Sequence, residues 1–162
     1  MIINTPATSR RRLLGVGAGV VVSLGLPWRT GLAASKPSIQ VYKTPTCGCC
    51  KLWVEHLTAS DFEVSAQDLP DLGSIKQMAA IPDHLISCHT GAIEGYTIEG
   101  HVPAAAIRKL LAERPQIRGL AVPGMPAGSP GMPSQTPERY DVIAFGDGED
   151  RIFMSFVETS PV

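Results

Sequence analysis

Polar and apolar side chains alternate along Ser38-Ile39-Gln40-Val41-Tyr42, and with its β-branched residues the run predicts a strand. Thr44-Pro45-Thr46 breaks the alternation. Leu52, Trp53, His56 and Leu57 then recur at helical spacing as far as Ala59. Residues 62–68 return to a strand pattern, and 72–80 read as a short helix closed by Pro82. One or two short strands are expected over 93–98, among glycines at 91, 95 and 100. Pro103 suits a first helical position, and the helix expected over 104–112 carries Ile107, Leu110 and Leu111 on one face before Pro115. Five prolines and three glycines within 121–137 predict a loop. The runs 140–145 and 151–157 alternate around Gly146-Asp147-Gly148-Glu149-Asp150, the clearest hairpin signal in the chain. Trp53, Met78 and Met154 fall on apolar faces and are expected in the core, whereas His56 and His84 read as structural.

The predicted order is βαβα, an inserted β-rich and helical piece, then ββ. It describes a single α/β domain that resembles a thioredoxin-like fold with an insertion before a C-terminal β-hairpin. Charge separates this domain from what precedes it. The 162 residues hold 14 Lys+Arg and 15 Asp+Glu, a formal charge of −1. Residues 1–33 contain Arg10, Arg11, Arg12 and Arg29 and no acid, so 34–162 has ten bases, fifteen acids and a net charge of −5. The apolar run from Leu13 to Leu26 spans about 14 residues, short of the ~20 that cross a bilayer. A basic start, a short apolar middle and Gly31-Leu32-Ala33-Ala34 predict an export signal cleaved after Ala33 or Ala34. Ser9-Arg10-Arg11-Arg12-Leu13-Leu14 resembles the twin-arginine signature. The expected mature protein, 34–162, is therefore periplasmic and has no membrane span. Its negative charge and lack of a basic run exclude nucleic-acid binding. No phosphate cradle, serine-hydrolase elbow, paired-carboxylate motif or calcium loop is present.

All four cysteines lie in the acidic part. Cys47 and Cys50 form a C-x-x-C pair where the first strand feeds the first helix, and free amides and the helix dipole favour a thiolate there. Such a pair supports thiol–disulfide chemistry, with Cys47 attacking and Cys50 resolving. Cys49, between them, is a residue that chemistry does not need. Cys88 can supply a fourth sulfur. Two closed bridges are one outcome in an oxidising compartment; four thiolates on a soft metal are the other, with Cu(I) or zinc the ions such ligands select. Zinc sites normally draw four cysteines from two separated pairs. Three crowd a single turn here, which favours sulfurs bridging several Cu(I) ions. Four Cu(I) with four thiolates would be neutral.

Secondary metal candidates are Met125 and Met132, in the repeated Gly-Met-Pro of the loop, whose thioethers are soft Cu(I) ligands. A cis bond at Val122-Pro123 would bring Met125 close to the cysteines. His89, after Cys88, and His101, before Val102-Pro103, complete the set, although each reads more readily as a surface or hydrogen-bonded histidine than as a ligand.

The segments Thr44-Pro45-Thr46-Cys47-Gly48-Cys49-Cys50, Ser87-Cys88-His89-Thr90, the stretch from Glu94 to Pro103, and Gly119-Leu120-Ala121-Val122-Pro123-Gly124-Met125-Pro126 resemble a family. It is that of the CopG-type periplasmic copper-resistance proteins, and the match runs from about Ile39 to Phe156. The resemblance implies a thioredoxin-like fold, a role in copper tolerance alongside other periplasmic copper-handling proteins, and a copper site. By position its ligands are Cys47, Cys49, Cys50 and Cys88.

Overall fold

A computed structural model describes residues 35–162, so the expected export signal lies outside the described residues. The elements are β1 (Ser38–Lys43), α1 (Gly48–Ala59), β2 (Glu63–Asp68), α2 (Gly73–Met78), a 3-10 turn (Asp83–Leu85), β3 (Thr90–Ile93), β4 (Tyr96–Gly100), α3 (Ala104–Glu113), β5 (Gly119–Val122), β6 (Arg139–Phe145), β7 (Arg151–Val157) and β8 (Ser160–Pro161). All eight strands form one sheet in the order β2-β1-β3-β4-β5-β6-β7-β8. The pairs β1/β2 and β4/β5 are parallel and the others antiparallel. Among the described residues no helix is long and apolar enough to cross a membrane.

The twofold side-chain period divides this sheet into two faces. Ile39, Val41, Ile98, Leu120, Val122, Val142 and Ala144 point to the main core, where Trp53 and Leu57 of α1 and Ile107 and Leu110 of α3 cover them. Ala121 and Phe145, one residue out of phase, join Ile81 and Leu85 in a smaller cluster. Helices α1 and α3 are also joined by polar contacts. The Trp53 indole N–H donates to the Val102 carbonyl at 2.9 Å, and the Ala104 N–H to His56 Nε2 at 3.1 Å. His56 is structural, as expected.

Several expectations change. The middle piece is not set apart as an insertion, because β3 and β4 lie inside the sheet between β1 and β5. Residues 121–122 are strand, not loop: Gly119-Leu120-Ala121-Val122 is too short and too evenly buried for any period to register. Pro103 is the N-cap residue with φ −63° and ψ 145°, one position before the helix. Met78 is 76% exposed, since α2 buries none of its own residues. Met154, by contrast, packs against the core, and the hairpin appears where alternation placed it.

Candidate metal centre

The turn from β1 into α1 presents the three clustered cysteines. Cys47 caps the helix: its backbone is extended, φ −76° and ψ 97°, and its sulfur accepts the Cys50 N–H at 3.3 Å. A sulfur at that position meets unpaired amides and the positive end of the helix dipole. Cys50 is fully buried, and a disulfide joins it to Cys47, the Cα atoms standing 5.3 Å apart. That separation is usual for a bridged pair. Cys49 and Cys88 are free thiols, both partly buried.

Cys88 enters from the other side, in the segment between the 3-10 turn and β3. Its sulfur is 3.8 Å from that of Cys49, which is in turn 3.5 Å from that of Cys47. The Cys50 sulfur lies 3.7 Å from the Cys88 carbonyl. The four sulfurs fall within 4.8 Å of one another, as do Cys88 Sγ and one nitrogen each of His89 and His101.

Both histidines are fully buried, so neither is the surface residue the sequence allowed. His101 Nδ1 is 2.7 Å from the Pro130 carbonyl, which can only accept; Nδ1 therefore carries the proton. Burial lowers the pKa of this ring. The ring is thus neutral, and its bare Nε2 faces Cys88 Sγ at 3.1 Å. Cys88 has one S–H, and it donates to that nitrogen. His89 Nδ1, 3.2 Å from the same sulfur, must then supply the hydrogen of the second contact. This leaves His89 Nε2 buried and without a partner. Burial holds the His89 pKa well below its ordinary value, with His101 and the Lys76 ammonium adding to the effect. Burial also pushes the Cys88 thiol up to about 12, helped by the neighbouring Cys49. Trp53 closes the inner wall, its ring centroid 4.3 Å from that of His89.

The Gly-Met-Pro loop lies against this cluster. Gly131 has φ +94°, and a Cβ there would sit 2.5 Å from the Cys49 carbonyl oxygen and 3.2 Å from His101 Nδ1. Ser87 Oγ donates to the Gly124 carbonyl at 2.6 Å. The described peptide bonds are all trans, so Val122-Pro123 is not the cis bond considered from the sequence. Met125 is 54% exposed; Met132 is half-buried.

Pattern reading missed Glu99. It is fully buried and accepts from Lys76 Nζ at 2.5 Å, the Ser87 N–H at 2.7 Å and the Thr90 hydroxyl at 2.7 Å. A glutamate in a strand ordinarily reads as solvent-facing. The glycine after it was the available signal: Gly100 has φ +70°, and a Cβ there would meet Ser87 and the Val122 carbonyl at 2.6 Å.

The family described as "Protein of unknown function, DUF411" matches residues 85–132, the stretch holding Cys88, His89, His101 and the loop. Two solved structures match, titled "Copper resistance protein copG", Form 2 and Form 1. Form 2 is 41% identical and Form 1 is 40% identical. Each alignment covers 75% of this chain and 98% of the other, with a TM-score of 0.71. No match is found among curated proteins.

Proposed function

The chain belongs to the family of CopG copper-resistance proteins, and from that premise we propose that it is a periplasmic copper-binding protein. It holds Cu(I) through Cys47, Cys49, Cys50 and Cys88, in a thiolate-bridged cluster of several ions, and serves copper tolerance by buffering copper, handling its redox state or passing it to other periplasmic copper proteins. The observation that carries this reading is the convergence of four sulfurs from two distant parts of the chain within 4.8 Å. The donor set fits the metal. Thiolates are soft ligands that select Cu(I), with zinc the competing ion, and the bare Nε2 of His101 adds an imidazole donor whose other nitrogen is already held by a carbonyl. Export rests on the pattern of residues 1–33. The β1-α1-β2 start with C-x-x-C at the head of α1 supports a thioredoxin-like origin for this half of the sheet.

The chain's own residues set the conditions for uptake. With Cys47 and Cys50 bridged, two thiols remain. A two-electron thiol reductant, with uptake of two protons, would open the bridge into two further thiols and bring the total to four. Metal then displaces their protons, because the thiolate is the ligand. The Cys50 N–H stabilises the anion on Cys47, and the His89 N–H does so on Cys88. Anaerobic Cu(I) titration of the reduced protein tests the reading. Several equivalents should bind, and Cys→Ser at 47, 49, 50 or 88 should each lower the uptake; a stoichiometry near zero overturns it.

The bridged Cys47–Cys50 pair supports a second reading, a periplasmic thiol–disulfide oxidoreductase. It predicts that Cys49→Ala keeps full dithiol activity and that Cys88→Ala is neutral. The copper reading predicts that both lose metal.

A further inference from the structure

Glu99 is a charged side chain with no exposure, and copper binding as read above gives it no part. Its contacts nevertheless converge on the site. The Ser87 N–H that it accepts at 2.7 Å lies one residue before Cys88, and the Thr90 hydroxyl that it accepts at 2.7 Å lies one residue after His89. Glu99 itself stands two residues before His101, and the Gly100 N–H donates to the His89 carbonyl at 3.0 Å. One carboxylate therefore clamps two segments, 87–90 and 99–101, that together carry Cys88, His89 and His101. Lys76 reaches in from α2 to neutralise it, at 2.5 Å from Glu99 and 3.1 Å from the Thr90 hydroxyl. A buried carboxylate needs such partners, since an unpaired one is strongly destabilising.

We propose that Glu99 is the positioning residue of the metal centre: by accepting the Ser87 N–H it sets where Cys88 stands relative to Cys49 and His101. The inference rests on the copper reading only for its consequence, because the placement of Cys88 can be measured without metal. Glu99 acts through an acceptor oxygen, and its charge serves to hold Lys76. An amide should therefore replace it once Lys76 is also made neutral. A glutamine oxygen still accepts from Ser87 N–H, and its NH₂ can donate to the Thr90 hydroxyl. A leucine does neither.

The test compares the full chain with two charge-neutral pairs, Lys76→Met/Glu99→Gln and Lys76→Met/Glu99→Leu. Neither leaves a buried charge unpaired, and removing both charges of a buried pair is often well tolerated. The first readout is the rate at which diamide joins Cys49 to Cys88 in protein whose Cys47–Cys50 bridge is closed, followed by mass spectrometry. The second is Cu(I) affinity of the reduced proteins against a chromogenic chelator. The Gln pair should match wild type in both. The Leu pair, at similar melting temperature, should close the cross-link and bind Cu(I) about tenfold less well, as partners behind ligands commonly do. Equal rates and affinities in the two pairs overturn the proposal. A slowed cross-link in the Leu pair, with no copper bound even by wild type, upholds the positioning role and overturns the copper reading instead.

Discussion

At the scale of single residues, the site depends on groups whose ordinary chemistry is displaced by burial. His89 is held neutral well below its usual pKa, whereas the unfolded chain takes up a proton there near pH 6.5. Its depressed value contributes stability above pH ~6.5 that is lost as the pH falls. Cys88 behaves oppositely. Its value is raised to about 12, so its contribution is complete below the unfolded thiol pKa of ~8.5 and is lost as the pH rises towards 12. Chemical denaturation of the metal-free protein should give a stability curve falling on both sides. His89→Gln should flatten the acid limb and Cys88→Ser the alkaline limb; limbs unchanged by these substitutions would count against the assignment. Gly131 makes a different prediction. A side chain there combines φ +94° with a 2.5 Å approach to the Cys49 carbonyl. Gly131→Ala should therefore cost about 1–3 kcal/mol by thermal denaturation. It should also weaken Cu(I) binding in chelator competition, because the atom it strikes belongs to a proposed ligand.

At the scale of elements, α1 and α2 contrast. Helix α1 sinks Trp53 and Leu57 into the core and so fixes the cysteine turn, whereas α2 has no fully buried residue and reaches the sheet through Lys76, which meets Glu99 and the Thr90 hydroxyl. Met78→Gln should accordingly shift stability by about 0.5 kcal/mol or less in urea denaturation. A loss of several kcal/mol would restore Met78 to the core that its apolar pattern implied. The same contrast explains what was legible in the sequence. Strand β1, helix α1 and the β6–β7 hairpin were readable because each has a buried and an exposed side, and period reports sidedness. Strand β5 was hidden because all four residues are buried, and β8 because two residues carry no pattern. The cysteines announced themselves by spacing. The pairing of Cys88 with His101 did not, since it depends on β3, β4 and the 123–138 loop meeting in space. Glu99 was invisible for the same reason.

At the scale of the whole molecule, one sheet carries both halves of the site on interior strands and their connections, so the cysteine turn and the Cys88 segment approach through packing and not through local sequence. The structure represents one redox state of that assembly, with one bridge and two thiols. Thiol titration of metal-free protein in this state should count two groups, and four after reduction. Cu(I) uptake should rise with the second pair, and equal uptake before and after reduction would place the metal away from Cys47 and Cys50. The wall behind the cluster has a further use. The chain has two tryptophans, Trp28 and Trp53, and the cleavage proposed after Ala33 or Ala34 would leave only Trp53. That indole is fully buried with its ring centroid 4.3 Å from that of His89. Its emission should therefore be blue-shifted and sensitive to the protonation of one imidazole and to whatever occupies the sulfurs. The molecule thus contains its own optical probe, and light collected from a single ring can follow loading and emptying of the centre in real time.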